Sequence, residues 1–287
     1  MSLYELIAEP ELDAPVLVLA VDGWIDAGMG AAGARAALLE GIETFTVATF
    51  DADALLDHRA RRPTMHLEEG VMTGLSWPTI ELRAATDADG NDLLLLAGAE
   101  PDHVWRAFSN AVVDLAMELG ARMVVGLGAY PAPVPHTRPS RLAVSASELS
   151  LAELAPVRTT VDVPAGVQAA IERRAHDAGL PAVGLWAQVP HYVSAMPYPA
   201  ASAALLDGLG TVASLRFDTV PLVEEAASTR RRLDSLVADN HDHLAMVQQL
   251  EASFDAEQHP SAYGLGVGPL PSGDELAAEL EQFLRDQ

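Results

Sequence analysis

Two strand-length apolar runs, 123–127 and 182–189, each follow an amphipathic helical pattern closed by a glycine, Gly120 and Gly179, and each opens into a proline-stiffened loop. No other feature constrains the chain as much. A helix feeding a buried strand, repeated, is the unit of α/β folds, and the loops that leave such strands gather at the carboxyl edge of the sheet, where ligands bind. The first loop reads Gly126-Leu-Gly-Ala-Tyr-Pro-Ala-Pro-Val-Pro-His-Thr-Arg-Pro139 and the second Pro190-His-Tyr-Val-Ser-Ala-Met-Pro-Tyr-Pro199. Each proline fixes its own φ and biases the preceding residue toward extended backbone. His136, Thr137 and Arg138 in the first loop, and His191 and Tyr192 in the second, are therefore held with little conformational freedom left to lose.

The rest of the chain agrees with that frame. Residues 15–21 are continuously apolar, 28–39 are small and apolar at helical spacing, and 44–50 are rich in β-branched and aromatic residues, which reads as a βαβ unit. Residues 82–86 and 92–97 flank Asp87-Ala-Asp-Gly-Asn91, a turn composition suited to a hairpin, so the sheet is expected to be mixed. Residues 101–119 place Val104, Phe108, Val112, Leu115 and Leu119 on one helical face. From Phe217 onward only helical patterns remain. Leu233, Val237, Leu244, Val247 and Phe254 favour a helical hairpin broken near Asp239-Asn240, and Ser272-Gly-Asp-Glu275 is a capping box for a short final helix. The expected organisation is an α/β domain, 1–216, followed by a helical C-terminal portion, 217–287.

Composition excludes several chemistries. Among 287 residues there is no Cys and no Lys, since all 17 basic residues are Arg. Schiff-base amines, P-loop or kinase-type lysines, thiolate nucleophiles, Cys-ligated zinc and disulfides therefore have no residue to use. The formal charge of −24 becomes only −15 with all 9 His protonated (17 + 9 − 41), which disfavours nucleic acid and anionic membrane as partners. No apolar run approaches the roughly 18 residues of a spanning helix, and the first residues carry Glu5, Glu9 and Glu11 without a basic stretch. A cytoplasmic location is expected. In Asp239-Asn-His-Asp-His243 the two His stand at i and i+2, on different helix faces, so no metal site is expected there. Gly-x-Ser-x-Gly and His-Glu-x-x-His motifs are absent.

Three groups of residues can carry chemistry. Gly28-Met-Gly30-Ala-Ala-Gly33 matches a dinucleotide fingerprint, with Asp51 and Asp53 after the next strand, but six residues separate the apolar run from Gly28, whereas a pyrophosphate loop needs its first Gly at the strand end. The alternative is close packing of a helix, and no cofactor is expected. Asp22 and Asp26, just past the first apolar strand, can bind a sugar hydroxyl or a cation, or can cap the helix and close a turn. His136 can act as a general base with Arg138 holding an anion, and the same pair can tie the loop to the body or bridge subunits; His191 and Tyr192 carry the same alternatives.

Ordered blocks along the chain, Asp22-Gly-Trp-Ile-Asp-Ala-Gly28, Phe50-Asp-Ala-Asp53 running to Arg59-Ala-Arg-Arg-Pro63, Gly98-Ala-Glu-Pro-Asp-His-Val-Trp-Arg-Ala-Phe108, Pro135-His-Thr-Arg-Pro139, Val189-Pro-His-Tyr-Val193 and Ser272-Gly-Asp-Glu275, resemble the actinobacterial branch of the PAC2 family, named for proteasome assembly chaperone 2. The resemblance implies a three-layer α/β domain shaped like nucleoside phosphorylases and hydrolases, a C-terminal helical addition, and homo-oligomers. It implies no reaction. Three functions stay open: a non-catalytic assembly chaperone or scaffold, a small-molecule phosphorylase or hydrolase using Asp22, Asp26, His136 and Arg138, and a dinucleotide-binding oxidoreductase. A homo-oligomer, a trimer by preference, is expected to cover the Tyr, Met and Pro surface of the two loops without help from the helices after Phe217.

Overall fold

The computed structural model describes residues 2–153, 157 and 160–258. Its strands are β1 (Tyr4–Leu6), β2 (Val16–Asp22), β3 (Thr44–Phe50), β4 (Thr64–Glu68), β5 (Val71–Ser76), β6 (Ile80–Thr86), β7 (Asp92–Ala99), β8 (Met123–Ala132), β9 (Leu142–Ala146) and β10 (Ala182–Pro190). Its helices are α1 (Gly30–Gly41), α2 (Ala52–Leu55), α3 (Trp105–Glu118), α4 (Leu149–Ala152), α5 (Val167–Asp177), α6 (Pro199–Ala213), α7 (Val220–Ala238) and α8 (His241–Gln258). Eight strands form one mixed sheet in the order β1-β3-β6-β7-β2-β8-β10-β9, and β4 and β5 pair separately. The central four, β7, β2, β8 and β10, are parallel, whereas the outer pairings are antiparallel.

The central strand β2 shows why its sequence is apolar from Val16 to Val21. Val16, Val18 and Ala20 pack on one side with α1 and α6, while Leu17, Leu19 and Val21 pack on the other with α3 and α5. A strand covered on both faces has no solvent side to mark with polar residues. Three layers result, as expected. Expectations for 44–50, for the 82–97 hairpin and for the two glycine-closed helices hold: Gly120 and Gly179 have φ of +78° and +80° and stop α3 and α5. Asp87 builds the hairpin turn by accepting the backbone N–H of Asp89, Asn91 and Arg216.

Four features differ from the expectations. β2 and β3, read as one βαβ unit, are not neighbours, because the hairpin of β6 and β7 lies between them. The strand expected to end at Leu127 continues to Ala132, through residues read as loop. It pairs with β2 only as far as Gly126 and keeps β10 beyond that, so Pro131 falls where one edge of β8 has lost its strand partner and a missing N–H is tolerated. Val104, expected on the buried face, is the exposed residue before α3, with φ of +47°. Finally, α6 had no counterpart in the sequence reading: Ala201, Ala203, Leu205, Leu206 and Leu209 are all buried in it, and a helix wrapped by its neighbours shows little amphipathic contrast.

By packing, the chain forms two units, Met1–Glu251 and Ala252–Gln287. The expected break near Asp239-Asn240 separates α7 from α8. Strands do end before residue 217, but Leu222 and Leu233 of α7 are buried in the same core as α1 and α6. The second unit is described only as the end of α8, and the final helix expected from Ser272 lies outside the described residues.

Candidate functional site

Asp22 and Asp26 leave β2 at the carboxyl edge of the parallel strands. Asp26 Oδ1 accepts the N–H of Ala31 at 2.8 Å and Oδ2 that of Ala32 at 2.9 Å, so the carboxylate closes the start of α1. Burial pushes its pKa up, against the pull of those two donors and of Arg35. Arg35 in turn binds Asp22 Oδ1 at 2.6 Å and donates to the carbonyl of Ala20. The pair is thus engaged in holding the β2–α1 connection. Beside it lies a cavity of about 20 Å³, room for one water molecule, lined among others by Trp24, Asp26, Glu100, Gln168 and Trp186. Glu100 closes this side by accepting the N–H of Val167 at 2.7 Å, a carboxylate on the first turn of α5.

Below that cavity the sheet is stripped of side chains. Gly126 and Gly184 are opposite one another, as are Gly128 and Trp186. A Cβ on Gly126 would meet Gln168 and Glu172, and one on Gly128 would meet the Trp186 ring at 2.4 Å. Into this trench α5 inserts Glu172, which accepts from Gln168 Nε2 at 2.9 Å and lies 2.9 Å from Ser145 Oγ. Trp186 Nε1 donates to the same Oγ at 3.0 Å. With no cation beside it, burial pushes the Glu172 carboxyl up to about 7.

The first proline-rich loop is fastened from outside. The ring of His136 is buried, its Nδ1 lies 2.7 Å from Tyr192 Oη and its Nε2 lies 3.1 Å from Asp234 Oδ1 of α7. The backbone N–H of His136 donates to the same Tyr192 oxygen at 2.8 Å. One assignment satisfies every group: Nε2–H donates to Asp234, and the Tyr192 hydroxyl donates to Nδ1 while accepting from the backbone. The imidazole is then neutral, which agrees with burial lowering its pKa against the opposing influence of Asp234. Burial likewise pushes Tyr192 up to about 12. Thr137 Oγ1 donates to Glu251 Oε1, and Arg138 binds the same oxygen at 3.1 Å. A groove of about 270 Å³ lies alongside, lined by His136, Arg138, Tyr198, Thr229 and Arg230. It shares no lining residue with the cavity beside Asp26, so Asp26 on one side and His136 with Arg138 on the other face different spaces, and Asp22 lines neither. His191 stands exposed on a single 3-10 turn, 191–193, edge-on to Tyr192.

The glycine motif is used for packing. Gly28 has φ of +62°, and a Cβ there would stand 2.7 Å from that of Tyr198; one on Gly30 would meet Ala129 and Ala201, and one on Gly33 would meet Ser202 Oγ at 2.4 Å. Its three glycines bring α1 against the start of α6 as much as against the sheet, and Ser202 Oγ donates to the carbonyl of Gly30 at 2.9 Å. Asp51 caps α2 through Ala54, and Asp53 pairs with His58. No position of the fingerprint is left open for a pyrophosphate, which needs bare backbone N–H groups.

The model of the PAC2 family matches residues 20–237. The chain belongs to the PAC2 family. Solved structures similar to it include a Corynebacterium glutamicum protein of unknown function, 31% identical with a TM-score of 0.85, covering 91% of this chain and 99% of that one. A Mycobacterium tuberculosis protein of unknown function is 37% identical with a TM-score of 0.82, covering 89% and 91%. A Mycobacterium tuberculosis proteasome-assembly chaperone homologue is 31% identical with a TM-score of 0.75, covering 81% and 99%. Among curated proteins the sequence has no match.

In this PAC2 protein the polar residues that sequence reasoning passed over are the partners: Asp234, Glu251, Glu172, Gln168 and Ser145. Gln168 and Glu172 are buried beside Val167, Ile171 and Ala175 in α5, although their polarity assigns them to solvent. Asp234 and Glu251 left no signal, being acids on acidic helices. Truncating the His136 ring removes the acceptor of the Tyr192 hydroxyl proton and one donor to the Asp234 carboxylate, and empties a buried ring position, so His136→Ala is expected to cost roughly 2 kcal/mol. In a double-mutant cycle with Asp234→Ala, measured by urea denaturation, a coupling of about 1 kcal/mol is expected; additive effects would show that the pair does not fasten the loop.

Proposed function

We propose that this chain is a non-catalytic, assembly-chaperone-like protein that acts through protein surfaces in the cytoplasm, self-associates, and takes proteasome components as partners. One observation carries the reading: Asp22, Asp26, His136 and Arg138, the four side chains that could have formed a catalytic set, are engaged in holding a loop and a helix end. Asp22 and Asp26 fasten the start of α1, and His136, Thr137 and Arg138 fasten the first loop to α7 and α8. Family membership and the likeness to a mycobacterial proteasome-assembly chaperone homologue point the same way. Three is the subunit number we put forward, on the strength of the two stiff loops; with the first tied down by its own chain, the exposed His191 of the second is the part free to meet a neighbour.

Proteasome α- and β-type subunits, purified separately and then mixed with and without the protein on native gels, test the reading. Binding to unassembled subunits and a several-fold change in the rate of particle formation are expected. No binding, together with nucleoside phosphorolysis by inorganic phosphate that His136→Ala abolishes, would replace this reading with the phosphorylase one.

A further inference from the structure

The cavity beside Asp26 lies where the chain parts. β2 and β7 are parallel neighbours, but β2 leads into α1 on one face of the sheet and β7 into α3 on the other, so their carboxyl ends open a crevice of the kind in which α/β sheets bind ligands. Gly23 to Asp26 form one wall, Glu100 follows β7 directly, and its backbone N–H donates to the carbonyl of Asp22 at 3.2 Å across the parting. Two buried polar side chains on this wall have hydrogen-bonding capacity left over. Glu100, 6% exposed, accepts the N–H of Val167 on Oε1, and its Oε2 has no partner among the described residues. Gln168, 9% exposed, gives Nε2 to Glu172, and its Oε1 has no partner among them either. Neither oxygen is sealed off by protein, so each has room for a donor.

The wall selects a charge. Asp26 lines the cavity as well, no Arg or His does, and Trp24 and Trp186 add two indoles, whose faces attract cations. A buried carboxylate with a free oxygen, beside an amide with another, is costly unless a cationic group with several N–H donors joins them. The volume selects a shape: about 20 Å³ takes one group the size of water, which an ammonium is and a planar guanidinium or a quaternary nitrogen is not. No three His, Asp or Glu side chains among the described residues come together to hold a metal ion, and hard cations take about six or more oxygens. The sequence has no Lys, so neither this chain nor a second copy supplies a side-chain ammonium. We propose that this cavity recognises a primary ammonium group, carried by a small amine or by a lysine of another protein, with Glu100 and Asp26 opposing its charge, Gln168 accepting one N–H, and the exposed Trp24 covering its stem. This goes beyond the assembly-chaperone reading and stands without it.

Tryptophan fluorescence of the full chain, titrated with butylammonium chloride at constant ionic strength, is the experiment, with circular dichroism confirming that each variant is folded. A saturable change is expected, with a dissociation constant on the order of a millimolar for so small a ligand. Guanidinium and tetramethylammonium chloride are expected to bind about tenfold more weakly or worse, since one is too broad and the other has no N–H to give. Glu100→Gln keeps an acceptor for the Val167 N–H but puts a neutral amide where the free oxygen was, and is expected to weaken binding by about tenfold or more. Trp24→Ala, with Trp186 left to report, is expected to weaken it roughly threefold. Glu40→Gln, an exposed acid at the far end of α1, is expected to change nothing, which separates the cavity from the chain's overall charge. Acetyl-Gly-Lys-Gly-amide distinguishes the two sources: tighter binding than butylammonium assigns the site to a protein lysine, weaker binding to a free amine, and either upholds it. A response that never saturates, or one that guanidinium and tetramethylammonium equal and the Glu100 and Trp24 variants leave unchanged, overturns the proposal and leaves the cavity to water.

Discussion

Glu172→Gln is expected to stabilise the fold above pH 7 by about 3 kcal/mol and to leave it unchanged below pH 4. Burial holds the Glu172 carboxyl protonated up to about pH 7 in the folded chain, against an ordinary value of 4.5. Below 4.5 the proton is bound in both states, and nothing is lost. Between 4.5 and about 7 the unfolded chain releases it and the folded chain does not, so stability falls as pH rises; above 7 both are ionised and the loss is complete. Gln has the shape of the protonated acid: its oxygen accepts from Gln168 Nε2, and its amide faces Ser145 Oγ, whose rotatable hydroxyl can turn from donating to accepting. It has no proton to lose. Urea midpoints of both proteins between pH 4 and 9 should therefore separate through the 4.5–7 window with the variant above. Parallel curves would mean that Glu172 ionises normally and that the glycine trench admits water. Glu172→Ala serves as a second check, since it strands Gln168 and is expected to destabilise at every pH.

Glu172 also shows where the sequence ran out. Residues 167–178 carry an i, i+4 stripe that reads as an amphipathic helix, and they are one; but the stripe that faces the sheet contains Gln168 and Glu172, which a polarity pattern assigns to solvent. What brings them inward is the absence of side chains at Gly126 and Gly184 on strands 58 residues apart, and pairing of that kind is invisible to a local pattern. For the same reason β2, β3 and the 80–99 hairpin were legible, their signals being contained within each segment, whereas the neighbours of β3 were not, because hydrogen-bonding order in a sheet depends on what the rest of the chain inserts. The loop residues split in the same way. Stiffness at His136 and Arg138 was readable from the prolines around them. That they are clasped by Asp234 and Glu251 was not, since acids on α7 and α8 look like any others in a chain of charge −24. Consequently the surface expected to need a neighbour's cover is partly covered from within, and exposed apolar side chains lie on the β4–β5 hairpin, where Met65 and Leu67 alternate but Met72 and Leu75 join their face only through a register shift that a local pattern does not show.

Gly98→Ala is expected to be the most disruptive single methyl group in the described residues, at roughly 3–5 kcal/mol, a large part of a typical domain's stability. Gly98 lies near the end of β7, opposite Ile80 of β6 on one side and Val21 of β2 on the other, with φ of +117°. That region is open to glycine and strained for any other residue. A Cβ there would also stand 2.0 Å from the carbonyl oxygen of Thr79, 2.9 Å from its carbon and 3.0 Å from Ile80 Cα. All three are backbone atoms, so no rotamer change relieves the overlap. The carbonyl of Thr79 is moreover the acceptor for the N–H of Ala99, at 3.1 Å, so pushing it aside breaks a rung of the ladder that fixes where β6 starts. Gly120→Ala separates the two causes: its φ is +78°, but nothing lies within 4 Å of the added carbon, so it carries dihedral strain alone, about 1 kcal/mol. Urea denaturation of the two variants beside wild type is the measurement. A gap of at least 2 kcal/mol between them is expected from the overlap at Thr79. Equal losses would show that β6 yields freely at its start, and that the close approach of Gly98 and Thr79 does not lock the hairpin against β2.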